Sequence, residues 1–311
     1  MQRSLSKNKS NNGQNTLNMK LRIINIRYIL FTTLLILSFQ YNIYSQGNDI
    51  RFTKKSGLFI GLSLGPTQSQ IINKGTLSVS GLLISKKSAF SGFLEIGYLF
   101  SNYLGLSSGI GYSSYNTQLS ISSYQNKFNS TDSENELYER RVSGSNISEI
   151  QKISSLGIPF CINFRLPVNK TIGFLLQAGV NLAIPLNKNY SSHGTFSYKG
   201  YYSAYNALLE NIPEYGFPDN LSSTTAGNLK LKSLIFEGIA STGFDVSIMG
   251  KLKVSLTACY DKSFSSISAY SLPDKFQLSS DAGKINSIMG GTSKTIIQSL
   301  GLRLTFRYYI K

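Results

Sequence analysis

From residue 57 onward, apolar and polar residues alternate along much of the chain. In the segment Leu58 to Leu64, for example, Leu and Ile occupy the even positions, while Phe, Gly and Ser occupy the odd ones. A period of two places successive side chains on opposite faces of a β-strand, whereas an amphipathic helix would show a period of about 3.6. The pattern therefore predicts strands with one apolar face. It recurs in eight segments: 58–65, 90–100, 104–113, 156–166, 172–184, 234–248, 252–261 and 300–308.

The connections between these segments alternate between short and long. Short turns fall at 101–102, 167–170 and 249–250, whereas the gaps at about 67–88, 120–150, 186–231 and 262–294 are long and mostly polar. A soluble β-sandwich would bury alternating faces equally well, but it has no reason to sort its loops by length. The sequence therefore predicts an all-β fold: an eight-stranded antiparallel transmembrane up-and-down β-barrel with short periplasmic turns and long extracellular loops.

Residues 1–45 predict an export signal. They contain six basic residues and no acidic one, and the apolar run Tyr28–Phe39 is too short for a membrane-spanning helix, which needs about 20 residues. A basic start, a short apolar run and a small residue, Ser45, are typical of a secretory signal peptide. We expect cleavage before Gln46; an uncleaved anchor is the alternative, and Met19 is an alternative start. The predicted domains are a signal peptide at 1–45, a periplasmic segment at 46–56 and the barrel at 57–311.

Composition and charge support export and exclude several classes of protein. Only 15% of residues are charged, below the roughly 25% of a typical soluble domain. Removing residues 1–45 takes away six of the 31 basic residues, so the net charge falls from +16 to +10. With no nucleic-acid-binding motif in an exported chain, we expect no nucleic-acid partner. One His and two Cys cannot form a Cys/His zinc site, and we expect no metal and no cofactor.

Two segments resemble a known family of membrane proteins. They are Gly157–Ile184 (GIPFCINFRLPVNKTIGFLLQAGVNLAI) and Leu300–Lys311 (LGLRLTFRYYIK), and they resemble the PorT-like outer-membrane β-barrel proteins of Bacteroidota. The end of the signal peptide, Tyr44–Gln46, is similar to signal peptides of that phylum. The resemblance covers about residues 55–311 and implies an outer-membrane location. The family takes its name from a protein needed for the secretion of other proteins, so the resemblance also implies a secretion assembly as an alternative function.

Seven charged residues fall at strand positions that are predicted to face the lumen. An isolated ion in a narrow lumen of low dielectric constant is costly, so we expect these residues to pair and fill the barrel as a plug. A gated path for protons or ions and a catalytic pair of carboxylates are the alternatives. Asp245 and Lys253 should lie opposite each other, or one pair removed, across the turn at 249–250. The predicted lumen residues are Glu95, Arg165, Glu237, Asp245, Lys253, Arg303 and Arg307.

The longest predicted loop, 186–231, is rich in aromatic residues. Exposed Tyr side chains often form binding surfaces; the alternative, which we favour, is that the aromatic residues support a β-hairpin that extends above the membrane. His193 lies in the same loop without other metal ligands, and we expect it to be exposed. Cys161 and Cys259 lie on strands too far apart for a disulfide, which predicts two free buried thiols. The candidate binding residues of the loop are Tyr190, Phe196, Tyr198, Tyr201, Tyr202 and Tyr205.

These features together predict a small structural or surface-interaction protein of the outer membrane that acts through its extracellular loops. No enzymatic activity is expected, because no nucleophile and base accompany the carboxylates. The expected partners are membrane lipid and other envelope or secretion proteins, with the chain as a monomer or as part of a hetero-complex. A conducting pore is a further alternative, which the predicted plug argues against.

Overall fold

The structure is a computed structural model that describes residues 57–75, 81–271 and 276–310. The predicted signal peptide and the segment 46–56 lie outside these residues. No helix in the described residues is long and apolar enough to cross a membrane. The described elements are β1 Gly57–Lys74, β2 Leu82–Leu99, β3 Leu104–Thr131, β4 Leu137–Pro167, β5 Ile172–Tyr202, β6 Ala207–Glu210, β7 Leu221–Asn228, β8 Ile235–Met249, β9 Leu252–Ser263 and β10 Lys294–Ile310, with short 3₁₀ helices at Pro213–Tyr215 and Ile288–Gly291.

Eight of these strands close into a ring. The order around the ring is β1, β2, β3, β4, β5, β8, β9 and β10, and every neighbouring pair is antiparallel. The ring closes between the first and last strands, where Leu58 lies opposite Ile310. Closure leaves no sheet edge in the ring, as a sheet in lipid requires. The predicted eight-stranded antiparallel barrel is confirmed. The short strands β6 and β7 lie outside the ring and pair with the upper part of β5.

The outer face of the barrel carries a continuous band of exposed apolar side chains. Leu94, Phe160 and Leu302, for example, are 57%, 50% and 54% exposed. Apolar surface of this extent would be unfavourable in water but is suited to lipid. We call this band the apolar belt; on the ring strands it spans residues 58–64, 90–98, 104–112, 158–164, 176–184, 234–248, 256–260 and 300–310.

Three strands continue far beyond the belt, which corrects the predicted loops. β4 and β5 have 31 residues each, whereas a transmembrane strand needs about 9–11. Most of the predicted loop at 67–88 and much of the predicted loops at 120–150 and 186–231 form strand. The sequence pattern missed these parts of the strands because its phase changes. Along β3 the apolar residues point outward up to Tyr112, but from Tyr115 onward they point inward. We call the parts of β3, β4 and β5 above the belt, together with β6 and β7, the extension.

The interior of the extension is apolar and is filled partly by the last loop, residues 264–293. Leu278, Ile285, Ile288 and Met289 of this loop are at most 1% exposed. They pack in two clusters with strand residues such as Ile121. The interior therefore has two zones. The zone at the level of the belt is polar, and the zone above the belt is mostly apolar.

Candidate functional site

Three ion pairs occupy the turn side of the lumen, at the level of the belt. Arg307 Nε lies 2.6 Å from Glu95 Oε1. Arg165 contacts Asp245 through two hydrogen bonds, of 2.7 Å from Nε to Oδ2 and 3.0 Å from Nη2 to Oδ1. Lys253 Nζ lies 4.0 Å from the same carboxylate. Asp245 and Lys253 are one pair removed across their hairpin, because Asp245 lies opposite Ser255. Bidentate arginine–carboxylate contacts of this kind fix geometry as well as charge.

Farther from the turns, Arg303 pairs with Asp261, which is not among the predicted lumen residues. Arg303 Nη2 lies 3.8 Å from Asp261 Oδ2, and the guanidinium also stacks on the Phe93 ring, 4.6 Å from its centre. Ser299 Oγ donates to the same carboxylate oxygen over 3.1 Å. The signal for Asp261 was present, because it has the same strand parity as Lys253, which was predicted to face the lumen.

Glu237 corrects the expectation that every lumen charge has a partner of opposite charge. It is 1% exposed, and no basic group of the described residues lies within 4.0 Å of it. Its Oε2 accepts hydrogen bonds from Tyr115 Oη at 3.1 Å and Asn181 Nδ2 at 2.8 Å. Neutral donors on β3 and β5 therefore take the place of an arginine. The pattern within a single strand does not reveal this, because the donors lie on other strands.

Two small cavities lie between the lumen side chains. They have volumes of about 10 and 20 Å³ and are lined by residues that include Gln177 and Arg303. Each has room for about one water molecule. Cys161, which lines the larger cavity, and Cys259 are free and buried, which confirms the prediction of two buried thiols. In the described residues no cluster of three or more His, Cys, Asp or Glu side chains could hold a metal ion.

Above the belt, the candidate aromatic residues divide into buried and exposed groups. Phe196, Tyr198 and Tyr202 are 0%, 1% and 8% exposed, so their assignment to an exposed binding surface is wrong. They occupy the inward face of β5, where the interior of the extension is apolar. Tyr202 stacks on Tyr138 at 5.2 Å between ring centres, and the Tyr198 hydroxyl lies 2.6 Å from Ser279 Oγ. These side chains support the extended hairpin, which was the alternative interpretation.

The other candidates are more accessible. Tyr205 is 65% exposed in the turn after β5, and its hydroxyl donates to Glu136 over 2.7 Å. Tyr201 is half-buried beneath the Arg141 guanidinium, 4.5 Å from the ring centre. Tyr190 is half-buried and packs against the apolar cluster that contains Tyr115 and Met289. His193 is exposed on β5 rather than in a loop, with Nδ1 3.1 Å from Thr224 Oγ1.

The end of the extension carries large exposed apolar side chains beside acidic ones. Leu137, Tyr205 and Tyr215 are 71%, 65% and 74% exposed. The five acidic residues around them form no ion pair in the described part of the chain, unlike Glu139 and Glu210, which pair with Arg141 and Lys199. We call this set the tip surface: Leu137, Tyr205, Leu208 and Tyr215 with Asp132, Glu134, Glu136, Glu214 and Asp219.

Hydrogen bonds keep the tip surface negative. The backbone N–H of Glu136 donates to Asp132 Oδ1 over 2.9 Å, and this contact lowers the pKa of the Asp132 carboxyl below its usual value. The Tyr202 hydroxyl donates to the other Asp132 oxygen over 3.0 Å. Burial, and after it that contact, raise the pKa of Tyr202 to about 12. At neutral pH Asp132 is therefore ionised and Tyr202 is a neutral donor.

A single buried carboxylate anchors the last loop inside the extension. Glu149 is 0% exposed and accepts four hydrogen bonds. Two come from the loop, from Ser287 Oγ and the Ile288 N–H, both at 2.9 Å, and two come from Gln151 and Ser192. Burial raises the pKa of Glu149, although the four donors act in the opposite direction. No local sequence pattern indicates this contact, because the loop residues lie about 140 positions away along the chain.

The match to a protein family decides the class of this barrel. Residues 44–269 match the model of the outer membrane protein beta-barrel domain, which is more than half of the chain. The chain belongs to that family. It is therefore an outer-membrane β-barrel protein, and its short turns lie on the periplasmic side and its extension on the outside. No curated protein matches the chain.

Several solved structures of outer-membrane proteins are similar at low sequence identity. The attachment invasion locus protein Ail of Yersinia pestis is 12% identical over 81% of this chain and 99% of its own, with a TM-score of 0.27. Neisserial surface protein A is 10% identical over 83% and 100%, with a TM-score of 0.34. OprG of Pseudomonas aeruginosa is 15% identical over 84% and 99%, with a TM-score of 0.35.

Proposed function

We propose that this outer-membrane barrel is a surface-interaction protein that binds another envelope or extracellular protein through its tip surface. The observation that carries the proposal is the exposure of Leu137, Tyr205 and Tyr215 on an extension with a well-packed interior. Rigid amphipathic side chains contribute contact area at a low cost in conformational entropy. The unpaired acidic residues beside them favour a partner surface that is basic and partly apolar.

Site-specific photo-crosslinking in cells tests this proposal. A benzophenone amino acid replaces Tyr215 on the tip surface, and in a matched variant it replaces Lys152, which is exposed on the side of the extension. We expect a crosslinked protein partner for the Tyr215 variant and at most a trace for the Lys152 variant. Equal crosslinking at both positions, or none at Tyr215 in folded and surface-exposed protein, would contradict the proposal.

The proposal includes a lumen that is plugged by its charged side chains and does not conduct ions. It is supported by the arginine–carboxylate contacts of Arg165 and Arg307 and by cavities that have room for about one water molecule each. In planar bilayers the refolded barrel should give no stable single-channel conductance. Regular conductance steps from pure, correctly folded protein would contradict the plug. No catalytic role is proposed.

A component of a protein-secretion assembly is the alternative, and it rests on the PorT-like segments Gly157–Ile184 and Leu300–Lys311. We propose with either function that residues 1–45 are a signal peptide that directs export and that 46–56 is a periplasmic segment. Chemical crosslinking followed by purification from membranes separates the two functions. A stoichiometric complex with secretion proteins would favour the alternative, whereas a solitary barrel with a partner bound at the tip would favour surface interaction.

A further inference from the structure

Arg140 places a buried cation in the apolar interior of the extension. Its side chain projects inward from β4 and is 8% exposed. Among the described residues, no carboxylate lies within 4.0 Å of its guanidinium, and the buried Nε has no hydrogen-bond partner. A buried charge without a counter-charge is costly, and an apolar side chain of similar volume would avoid that cost. Packing alone therefore does not explain an arginine at this position.

The guanidinium connects a turn of the tip surface to the wall of the extension. In the turn, Nη2 donates to the Gly216 carbonyl over 2.9 Å, and the guanidinium carbon lies 5.5 Å from the centre of the Phe217 ring. In the wall, Nη1 donates to the Tyr138 hydroxyl over 3.1 Å, and the centre of the Tyr198 ring lies 5.1 Å from the guanidinium carbon. A planar group that donates two hydrogen bonds and stacks on aromatic rings fixes the orientation of what it contacts.

The turn that Arg140 holds, residues 211–218, also carries Tyr215. Two backbone hydrogen bonds between Ile212 and Phe217 close the turn, and the Tyr215 N–H donates to the Ile212 carbonyl over 3.2 Å. These contacts shape the turn but do not orient it. In the part of the chain that the structure describes, a single hydrogen bond reaches residues 211–217 from another strand, and its donor is Arg140. The direction of the exposed Tyr215 ring therefore depends on that contact.

We propose that Arg140 is a positioning residue for the partner of the tip surface, because it fixes the turn at 211–218 so that Tyr215 projects outward in one arrangement. This inference rests on the proposed surface-interaction function. A surface that is already ordered before binding loses less conformational entropy when the partner docks. The affinity for the partner therefore depends on a buried side chain that the partner does not touch.

Pulsed electron paramagnetic resonance on the refolded full-length barrel measures how firmly the turn is held. One nitroxide is attached at Tyr215→Cys and the other at Lys152→Cys on the side of the extension, after refolding has buried Cys161 and Cys259. We expect a narrow distance distribution with Arg140 present and a broader one in Arg140→Met. Arg140→Lys should broaden it as well, because a single ammonium on a flexible stem replaces the planar fork.

Two controls distinguish positioning from a general loss of structure. Labels at Leu137→Cys and Lys152→Cys report on the other turn of the tip surface, and their distribution should stay narrow in Arg140→Met. Arg141→Met changes the next residue of β4, which forms its ion pair outside the interior, and should leave both distributions unchanged. Broadening of both label pairs in Arg140→Met, an unchanged first pair, or full retention of the narrow distribution in Arg140→Lys would overturn the inference.

Photo-crosslinking in cells connects the position of the turn to the partner. With the benzophenone amino acid in place of Tyr215, the crosslink yield should fall by about tenfold in Arg140→Met, since a hydrogen bond to a charged group is worth about that factor. Arg141→Met should retain the yield, and a heat-dependent shift in gel migration verifies that each variant is folded. An unchanged yield in Arg140→Met would overturn the inference and leave the proposed function standing. No crosslink in the wild type would overturn the proposed function, and this inference with it.

Discussion

At the scale of single residues, Glu149 has the largest consequence for the extension. It links two strands to the last loop, and two of its donors, the Ile288 N–H and the Gln151 amide, cannot reverse their role. Replacing it by Ala leaves these buried donors without acceptors, at a cost of about 1–3 kcal/mol each. We expect Glu149→Ala to increase protease cleavage within loop 264–293 while the belt region stays folded. Glu134→Ala, at an exposed position, is the control and should leave cleavage unchanged.

The same carboxylate makes the docking of the loop depend on pH. Because burial raises the pKa of Glu149 in the docked state, docking takes up protons when the pH lies between the ordinary and the raised value. Protection of the loop should therefore be greatest at acidic pH, fall as the pH rises above the ordinary carboxyl value, and level off above the raised pKa. Proteolysis rates across this window measure the effect. Glu149→Gln should abolish the dependence, and a retained slope would assign it to another group.

In the lumen, Asp245 is expected to be more important than its partners, because it serves two cations. Asp245→Asn leaves Arg165 and Lys253 without their carboxylate in a buried site, at a cost of about 3–5 kcal/mol. We expect the variant to unfold at a lower temperature on heat-modifiability gels. The double variant Arg165→Met with Asp245→Leu removes both members of the closest pair and should recover much of the loss. A double variant as unstable as Asp245→Asn would argue against an electrostatic cause.

At the scale of the strands, close approach of backbones limits the residues that β8 can carry. A Cβ added to Gly243 would lie 2.0 Å from the Leu256 carbonyl oxygen on the paired strand, so the ladder would have to separate. Gly243→Ala should therefore lower the yield of folded barrel in detergent, as measured by the heat-dependent gel shift. Gly238→Ala on the same strand is the matched control, because its Cβ would meet the tip of the Phe264 ring at 3.0 Å and a backbone atom, the Lys262 carbonyl oxygen, no nearer than 3.9 Å. Similar yields for the two variants would contradict this steric explanation.

The sequence predicted the ring strands because their alternation is local and keeps one phase across the belt. It missed the length of β3, β4 and β5, because above Tyr112 the apolar residues change to the opposite face and a single-phase pattern ends there. Parity identified Arg165 and Asp245 as lumen residues. It could not identify the donors to Glu237 or the anchoring of the loop by Glu149, because these contacts join side chains far apart in the chain.

At the scale of the whole molecule, charge is sorted by height. Carboxylates and arginines meet inside the belt, and acidic residues that form no ion pair in the described part of the chain lie at the tip. This sorting explains why the net charge of the chain is a poor guide to its partners. A chain with a basic total of +16 carries a negatively charged tip surface, which favours a basic partner.

The change of phase in β3 also fixes how deeply the barrel sits in the bilayer. If the molecule moved outward, the apolar side chains below Tyr112 would enter water. If it moved inward, the polar outer face beside Tyr115 would enter hydrocarbon. A shift of only a few residues in either direction is unfavourable, because the apolar outer face of β3 ends at Tyr112 and the polar outer face begins directly above it. An insertion of one residue in β3 at the junction would exchange the inward and outward faces of the part of β3 in the extension, while leaving its membrane portion unchanged.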